Sequence, residues 1–200
     1  SRINIVTLCI DFFWANIGNL MYKIAVVGPE STGKSALTQF LATYYSSPKV
    51  DEYARSYVEQ LNRPYTFDDV CRIALHQIDT ENQFAGIAET ANEPFVFFDT
   101  ELIITRVWME YCYGEVPSFV DEQLKKGFFD LYLLCNTDLP WEPDPVREHG
   151  HDRDYFFNWY RREIEQLQKP YVVIQGFGKE RNDRAIQALE NHFFLTNDAS

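Results

Sequence analysis

The stretch KIAVVGPESTGKSAL, residues 23–37, decides the fold. Gly28, Gly33, Lys34 and Ser35 fall on the pattern G-x-x-x-x-G-K-[ST]. At ordinary residue usage such a match arises by chance on the order of once in 100 chains of this length. Its surroundings lower that further. Ile24-Ala25-Val26-Val27 reads as a short buried strand, and Ser35 to Leu41 opens an amphipathic helix. Strand, loop and helix are the context the motif needs. Glycine lets a backbone wrap an anion with no Cβ in the way. The N–H groups from Gly28 through Ser31, Thr32 and Gly33 to Ala36 then face a phosphate chain, with the positive helix end behind them. Lys34 reaches the β- and γ-phosphates, and Ser35 supplies a Mg²⁺ ligand. The expected ligands are ATP and Mg²⁺.

Composition narrows what such a site serves. The chain has 200 residues, enough for one domain with a substantial core. Hydrophobic residues make up 46% and aromatics 16%, which argues against disorder. There are 18 Lys and Arg against 30 Asp and Glu, a net charge of −12. That disfavours a polyanionic partner, so nucleic acid is not expected. Cys9, Cys71, Cys112 and Cys135 lie far apart without a C-x-x-C, as in a reducing compartment, and the cytoplasm is the expected location. The segment IVTLCIDFFWANIGNL, residues 5–20, is interrupted by Asp11 and Asn16 and is too short to span a bilayer. No membrane insertion is expected. Met21 reads as the natural start, which makes residues 1–20 an upstream extension and 21–200 a single P-loop domain. The alternative is an extra strand or helix packed on the core.

The rest of the chain alternates. Lys49-Val50-Asp51 is a short strand that runs into the charged stretch DEYARSYVEQL. Asn62-Arg63-Pro64 breaks it. Residues 66–92 carry Phe67, Val70, Ile73, Ala74 and Ile78 at helical spacing. FVFF, residues 95–98, is a buried strand closed by Asp99. A helix near Leu102–Tyr113 stops at Gly114, and another precedes the strand in DLYLLC, residues 130–135. A polar, Pro-rich segment follows, then a helix near 155–168, the strand in YVVIQG, residues 171–176, and a last helix over about 183–193. Five apolar strands alternating with helices predict an α/β fold, with a parallel sheet flanked by helices on both faces. Ligands in such sheets sit at the carboxyl ends of the strands.

Several side chains then converge by position. Asp99 at the end of its strand suits a Mg²⁺ ligand, direct or through water; Asp99 or Thr100 would serve equally as a plain helix N-cap. Glu52 after the second strand would face the γ-phosphate and could take the proton of an attacking hydroxyl. Arg55 lies one turn later on the same helical face. The two could equally form a surface ion pair. Arg147 and Arg153 sit in the segment 138–154, long enough to act as a mobile lid over the transferring phosphate, or to be a solvated charged loop. His149-Gly150-His151 follows no strand, and reads as surface. Gly176 and Arg181 follow the last strand, where an adenine would rest and where Arg181 could stack on it. Tyr53 and Trp108 flank the acceptor residues.

These residues together resemble a known family. GPESTGKS, DEYARSYVE, FFDTELIITRVWMEYCYG, DLPWEPDPVRE and the final YVVIQG followed by Arg181 are similar to the ribosylnicotinamide kinase domain of the bifunctional bacterial NAD-salvage regulator. The resemblance covers about residues 22–190. It implies a nucleoside-kinase-like P-loop fold with a lid. It also implies ATP-dependent phosphorylation of the 5′-hydroxyl of nicotinamide riboside. By motif position it puts Gly28, Lys34 and Ser35 on Mg·ATP, Glu52 and Arg55 at the acceptor, Asp99 near the metal and Arg147 in the lid. Glu101, Pro145 and Asp51 depart from the family pattern, and no adenylyltransferase H-x-G-H follows a strand. Other nucleosides or a small vitamin alcohol are the alternative acceptors, and a nucleotide sensor or plain ATP hydrolase the alternative roles. For a cationic nicotinamide ring an aromatic, acidic pocket is expected, with Tyr53, Tyr57, Trp108, Tyr111 and Tyr113 as aromatics and Glu81 or Glu101 as carboxylate.

Overall fold

The computed structural model describes residues 21–87, 93–143 and 152–193. The segment 1–20, Arg147 and the HGH triplet at 149–151 lie outside the described residues. In chain order the elements are β1 (Tyr22–Val27), α1 (Lys34–Tyr44), β2 (Lys49–Val50), α2 (Tyr53–Glu59), α3 (Phe67–Ile87), β3 (Phe95–Asp99), α4 (Leu102–Tyr113), α5 (Ser118–Lys125), β4 (Leu131–Cys135), α6 (Arg153–Gln166), β5 (Tyr171–Ile174) and α7 (Gly178–Phe193). The strands form one sheet in the order β2-β3-β1-β4-β5. Every pairing is parallel. This is the five-stranded P-loop fold expected from the alternation of elements.

The sheet is apolar on both faces, and that explains its uninterrupted hydrophobic runs. Successive side chains on a strand point to opposite faces. Ile24 and Val26 of β1 pack with Phe95, Phe97, Leu131 and Leu133 against Leu37 and Leu41 of α1 and Ala185 and Leu189 of α7. Ala25 and Val27 pack with Val96, Phe98 and Leu134 against Ile103 and Val107 of α4 and Ile164 of α6. All four of these β1 residues are 0% exposed. Gly114 ends α4 in the left-handed region at φ 65°.

Helix α7 begins at Gly178, about five residues earlier than the apolar spacing suggests. Its first turn is polar, so periodicity alone does not reveal it. That shift places Arg181 inside the helix. Helix α2 stands apart from the others, because none of its seven residues is buried.

Candidate active site

The P-loop lies between β1 and α1, at the carboxyl end of the central strand. Gly28 has φ 152°, and a Cβ there would come within 2.8 Å of the Cys135 carbonyl oxygen on β4. Only glycine lets the loop pass that close to the neighbouring strand. Gly33 caps α1 at φ 73°, and among the described residues no side chain caps that helix end. Its first-turn N–H groups are therefore open toward an anion. The Lys34 ammonium donates to the Pro29 carbonyl at 2.8 Å, and the Thr32 hydroxyl donates to the same oxygen at 2.7 Å.

Asp99 ends β3 beside the loop. Burial raises its pKa, opposed by a hydrogen bond from Ser35 and by the charge of Lys34. Its Oδ1 is buried with no partner among the described residues. The helix cap that Asp99 or Thr100 could have formed is made by Glu101, which accepts from the Ile103 N–H at 3.0 Å. Thr100 between them takes φ 74°, a conformation that a β-branched residue adopts only when its surroundings impose it. That turn sends Asp99 toward the P-loop and Glu101 into the helix end. Ser35 and Asp99 fit a Mg²⁺ ion in the manner of P-loop enzymes, as one hydroxyl and one carboxylate. Among the described residues no group of three or more His, Cys, Asp and Glu side chains could hold a metal unaided. The rest of the coordination would come from phosphate oxygens and water.

A cleft of about 630 Å³ opens directly from this loop, a size typical of a small-molecule site. One wall is the P-loop, with Glu30, Lys34 and Ser35. A second wall carries Glu52, Arg55 and Val58 of α2 and Arg63, Pro64 and Tyr65 of the following loop. The third is aromatic, with Trp108 and Tyr111 of α4 and Phe156 and Tyr160 of α6. The Trp108 indole N–H donates to the Tyr65 hydroxyl at 3.2 Å, with the rings edge to face at 4.7 Å. Burial raises the pKa of Glu52; Lys34 lowers it, Asp99 raises it and Arg55 lowers it. The structure thus brings Lys34, Ser35, Glu52, Arg55, Asp99 and Trp108 to one place.

Other expected residues lie elsewhere. Tyr53 turns away from the cleft and stacks on His76 at 3.5 Å. Glu52 is the extended cap that precedes the helix, so its direction does not fix that of Tyr53, the first helical residue. Tyr57 donates to Asp69 at 2.9 Å, and Tyr113 packs on Phe67. Arg181 is 4% exposed and has no open face for a base. Its guanidinium donates to the Thr32 carbonyl at 2.7 Å and to Asp138 at 2.9 Å, bracing the P-loop from beneath. Arg153 donates to the Leu139 carbonyl at 2.8 Å and to the Ser31 carbonyl at 3.4 Å. The described ends of the segment 138–154 therefore sit against the loop. Sequence reading missed Glu30, Arg63, Tyr65, Phe156 and Tyr160. Glu30 lies within the motif at a position free to vary. The others had no local signal beyond the break at Asn62-Arg63-Pro64.

Glu81 and Glu101 are not cleft residues. They are 4% and 2% exposed and line a smaller neighbouring recess that meets the cleft at Thr100. Glu81 accepts from Gln123 at 2.7 Å. Burial pushes its carboxyl from 4.5 up to about 7, and pushes Glu101 well up. The folded chain then holds protons that the unfolded chain has released. Stability is fully present below the ordinary carboxylate value and is lost as pH rises toward 7. We expect the melting temperature to fall between pH 5 and pH 8. Glu81→Gln should be the more stable protein at pH 8 by about 1–3 kcal/mol, and no more stable than wild type at pH 5. Thermal denaturation of both proteins at the two pH values checks this. A deficit in Glu81→Gln at pH 8 would show that the ionised carboxylate is supported after all.

Comparison with known proteins finds both a family and relatives of known structure. The model of a family described as AAA domain, AAA_28, matches residues 23–181. The trifunctional NAD biosynthesis/regulator protein NadR of Escherichia coli K12 is 28% identical over 176 residues, which is 84% of this chain and 41% of that protein. A NadR protein solved in complex with NR has a TM-score of 0.65 at 26% identity, covering 86% of this chain and 52% of that one. The thymidylate kinase of Ehrlichia chaffeensis shares the fold, with a TM-score of 0.61 at 12% identity, covering 85% of this chain and 99% of its own. The chain spans about half or less of the two NadR proteins it matches.

Proposed function

We propose, from the premise that this chain belongs to the AAA_28 family of AAA domains, that it is an ATP-dependent nucleoside kinase whose acceptor is the 5′-hydroxyl of nicotinamide riboside. The observation that carries the reading is the single cleft in which a P-loop meets an aromatic wall and a raised-pKa carboxylate. The resemblance to a NadR protein solved with NR supports the choice of acceptor.

In this reading the ATP phosphates lie on the uncapped start of α1. Lys34 leaves the Pro29 carbonyl for the β,γ-phosphates. Ser35 and Asp99 would hold Mg²⁺, which when bound supplies positive charge against the phosphate oxygens. Glu52 accepts the proton of the 5′-hydroxyl as that oxygen bonds to the γ-phosphorus. The bond to the β,γ-bridging oxygen breaks, and ADP leaves with that electron pair. Arg55 stands on the same wall as Glu52, where a guanidinium group can orient the acceptor or its phosphate; Arg63 stands there too, with its terminal nitrogens held by Asp69. A salvage kinase of this kind works in the cytoplasm, where its ATP is.

Nicotinamide riboside carries a fixed positive charge. Tyr65, Trp108, Tyr111 and Tyr160 offer aromatic faces to it, worth ~0.5–2 kcal/mol for a cation over a ring. Glu30 and Glu52, rather than Glu81 and Glu101, are the carboxylates in the cleft. They would also repel the added carboxylate of nicotinic acid riboside. The test is the initial rate of ADP release at fixed Mg·ATP across a nucleoside panel. We expect kcat/KM for nicotinamide riboside to exceed that for nicotinic acid riboside, cytidine and thymidine by at least ~10-fold, or about 1.4 kcal/mol. Equal rates on uncharged nucleosides would reject the cationic pocket. ADP release that ignores added nucleoside would make the protein a hydrolase.

A further inference from the structure

Asp69 lies outside the cleft, yet its environment is built more tightly than that of any group in it. It stands in the first turn of α3 and is 0% exposed. Its carboxylate accepts from both terminal nitrogens of Arg63, at 2.6 and 3.0 Å. It accepts from the Thr66 N–H and hydroxyl, each at 2.8 Å. It accepts from the Tyr57 hydroxyl at 2.9 Å. These donors come from α2 and from the loop that follows it. Both segments supply cleft wall: Glu52 and Arg55 from the first, Arg63, Pro64 and Tyr65 from the second. Neither is held by a core of its own, because α2 buries none of its residues. Further ties to α3 are the stack of Tyr53 on His76 and the hydrogen bond between the Tyr57 hydroxyl and Arg72.

We propose that Asp69 is a positioning residue for the acceptor: its carboxylate locks α2 and the loop at 62–66 as one rigid wall, so that Glu52 and Tyr65 are in place before the nucleoside arrives. This rests on the kinase reading above. The donors surround both oxygens, and hydrogen bonds from Arg63 and Thr66 hold the carboxyl well below the ordinary carboxylate range. It therefore stays ionised, and its two oxygens keep these five hydrogen bonds across the neutral range. An asparagine has the same shape but one acceptor oxygen and an NH₂ group that would face a donor. A wall displaced by about 1 Å is enough to lose ~10²-fold in a step that depends on placement. The P-loop is not attached to this wall through Asp69, so ATP binding is spared.

The experiment compares Asp69→Asn with wild type in steady-state kinetics and in amide hydrogen exchange. We expect kcat/KM for nicotinamide riboside to fall at least ~10-fold, with KM for ATP changed less than ~2-fold. Amides of residues 53–66 should exchange faster, while those of α1 keep their protection. Tyr57→Phe, which cuts the ties of the α2 hydroxyl to Asp69 and Arg72 and leaves the loop's bonds to Asp69 in place, should show the same split with a smaller loss, and it carries the test if Asp69→Asn does not fold. Equal loss toward ATP and nucleoside, or unchanged exchange over 53–66, would overturn the proposal. If wild type phosphorylates no nucleoside, the kinase reading fails, while the exchange measurement still decides whether Asp69 locks the wall.

Discussion

Replacing Lys34 with alanine should leave a folded protein that turns over at least ~10²-fold more slowly, the loss typical of one electrostatic stabiliser of the transition state. The ammonium at rest donates to the Pro29 carbonyl at 2.8 Å. It contributes nothing to either hydrophobic cluster. The melting temperature should therefore stay close to that of wild type. A second signature separates this from a general defect. Lys34 lowers the pKa of Glu52, so its removal should push that pKa higher still. The residual activity of Lys34→Ala should then rise with pH later than wild type does. Ser35→Ala, which removes the Asp99 hydrogen bond and, on the proposed reading, a metal ligand, should show a loss of similar order, restored in part by high Mg²⁺. ADP-release rates from pH 5 to 9, with circular dichroism as the fold control, measure all of this. Near-normal turnover by a folded Lys34→Ala protein would remove the P-loop from the chemistry.

The second large effect belongs to Glu52. As general base it must be ionised to act, and burial raises its pKa above the ordinary carboxylate value. Activity of the wild type should therefore climb as pH rises through that raised value and level off above it. Glu52→Gln should lower kcat by ~10²–10⁴-fold, the range for a lost general base, and flatten the acidic limb. KM for ATP should change little, because the P-loop contacts are intact. Asp99→Asn is the informative companion. If Asp99 holds the metal, its loss should weaken with added Mg²⁺, whereas the loss in Glu52→Gln should not. A Glu52→Gln protein within ~5-fold of wild-type kcat would mean that Glu52 only orients the hydroxyl.

The local parts of this site were legible in the chain because their geometry is local. Eight consecutive residues, Gly28–Ser35, specify the anion loop, since glycine conformations and a helix start are decided over a few bonds. The five strands were legible because strands buried on both faces must be apolar throughout. Asp99 and Glu52 were found because Asp99 ends a strand and Glu52 follows one two residues later, at the carboxyl end of a parallel sheet. What the sequence could not fix was direction. Helix α2 buries none of its residues, so its amphipathic spacing does not say that Arg55 faces the cleft while Tyr53 faces His76. Glu81 and Glu101 look like available acids, and only the packing of α3, α4 and α5 encloses them. Arg181 looks like a free guanidinium until the fold brings it to the Thr32 carbonyl, 149 residues earlier. Tyr65, Phe156 and Tyr160 line one cleft although three helices and two strands separate the first from the others along the chain. The loop and the strands follow from short-range sterics and burial, which neighbouring residues determine. The acceptor wall follows from contacts across the sheet, whose free energy depends on which surfaces meet, and that only the folded chain decides.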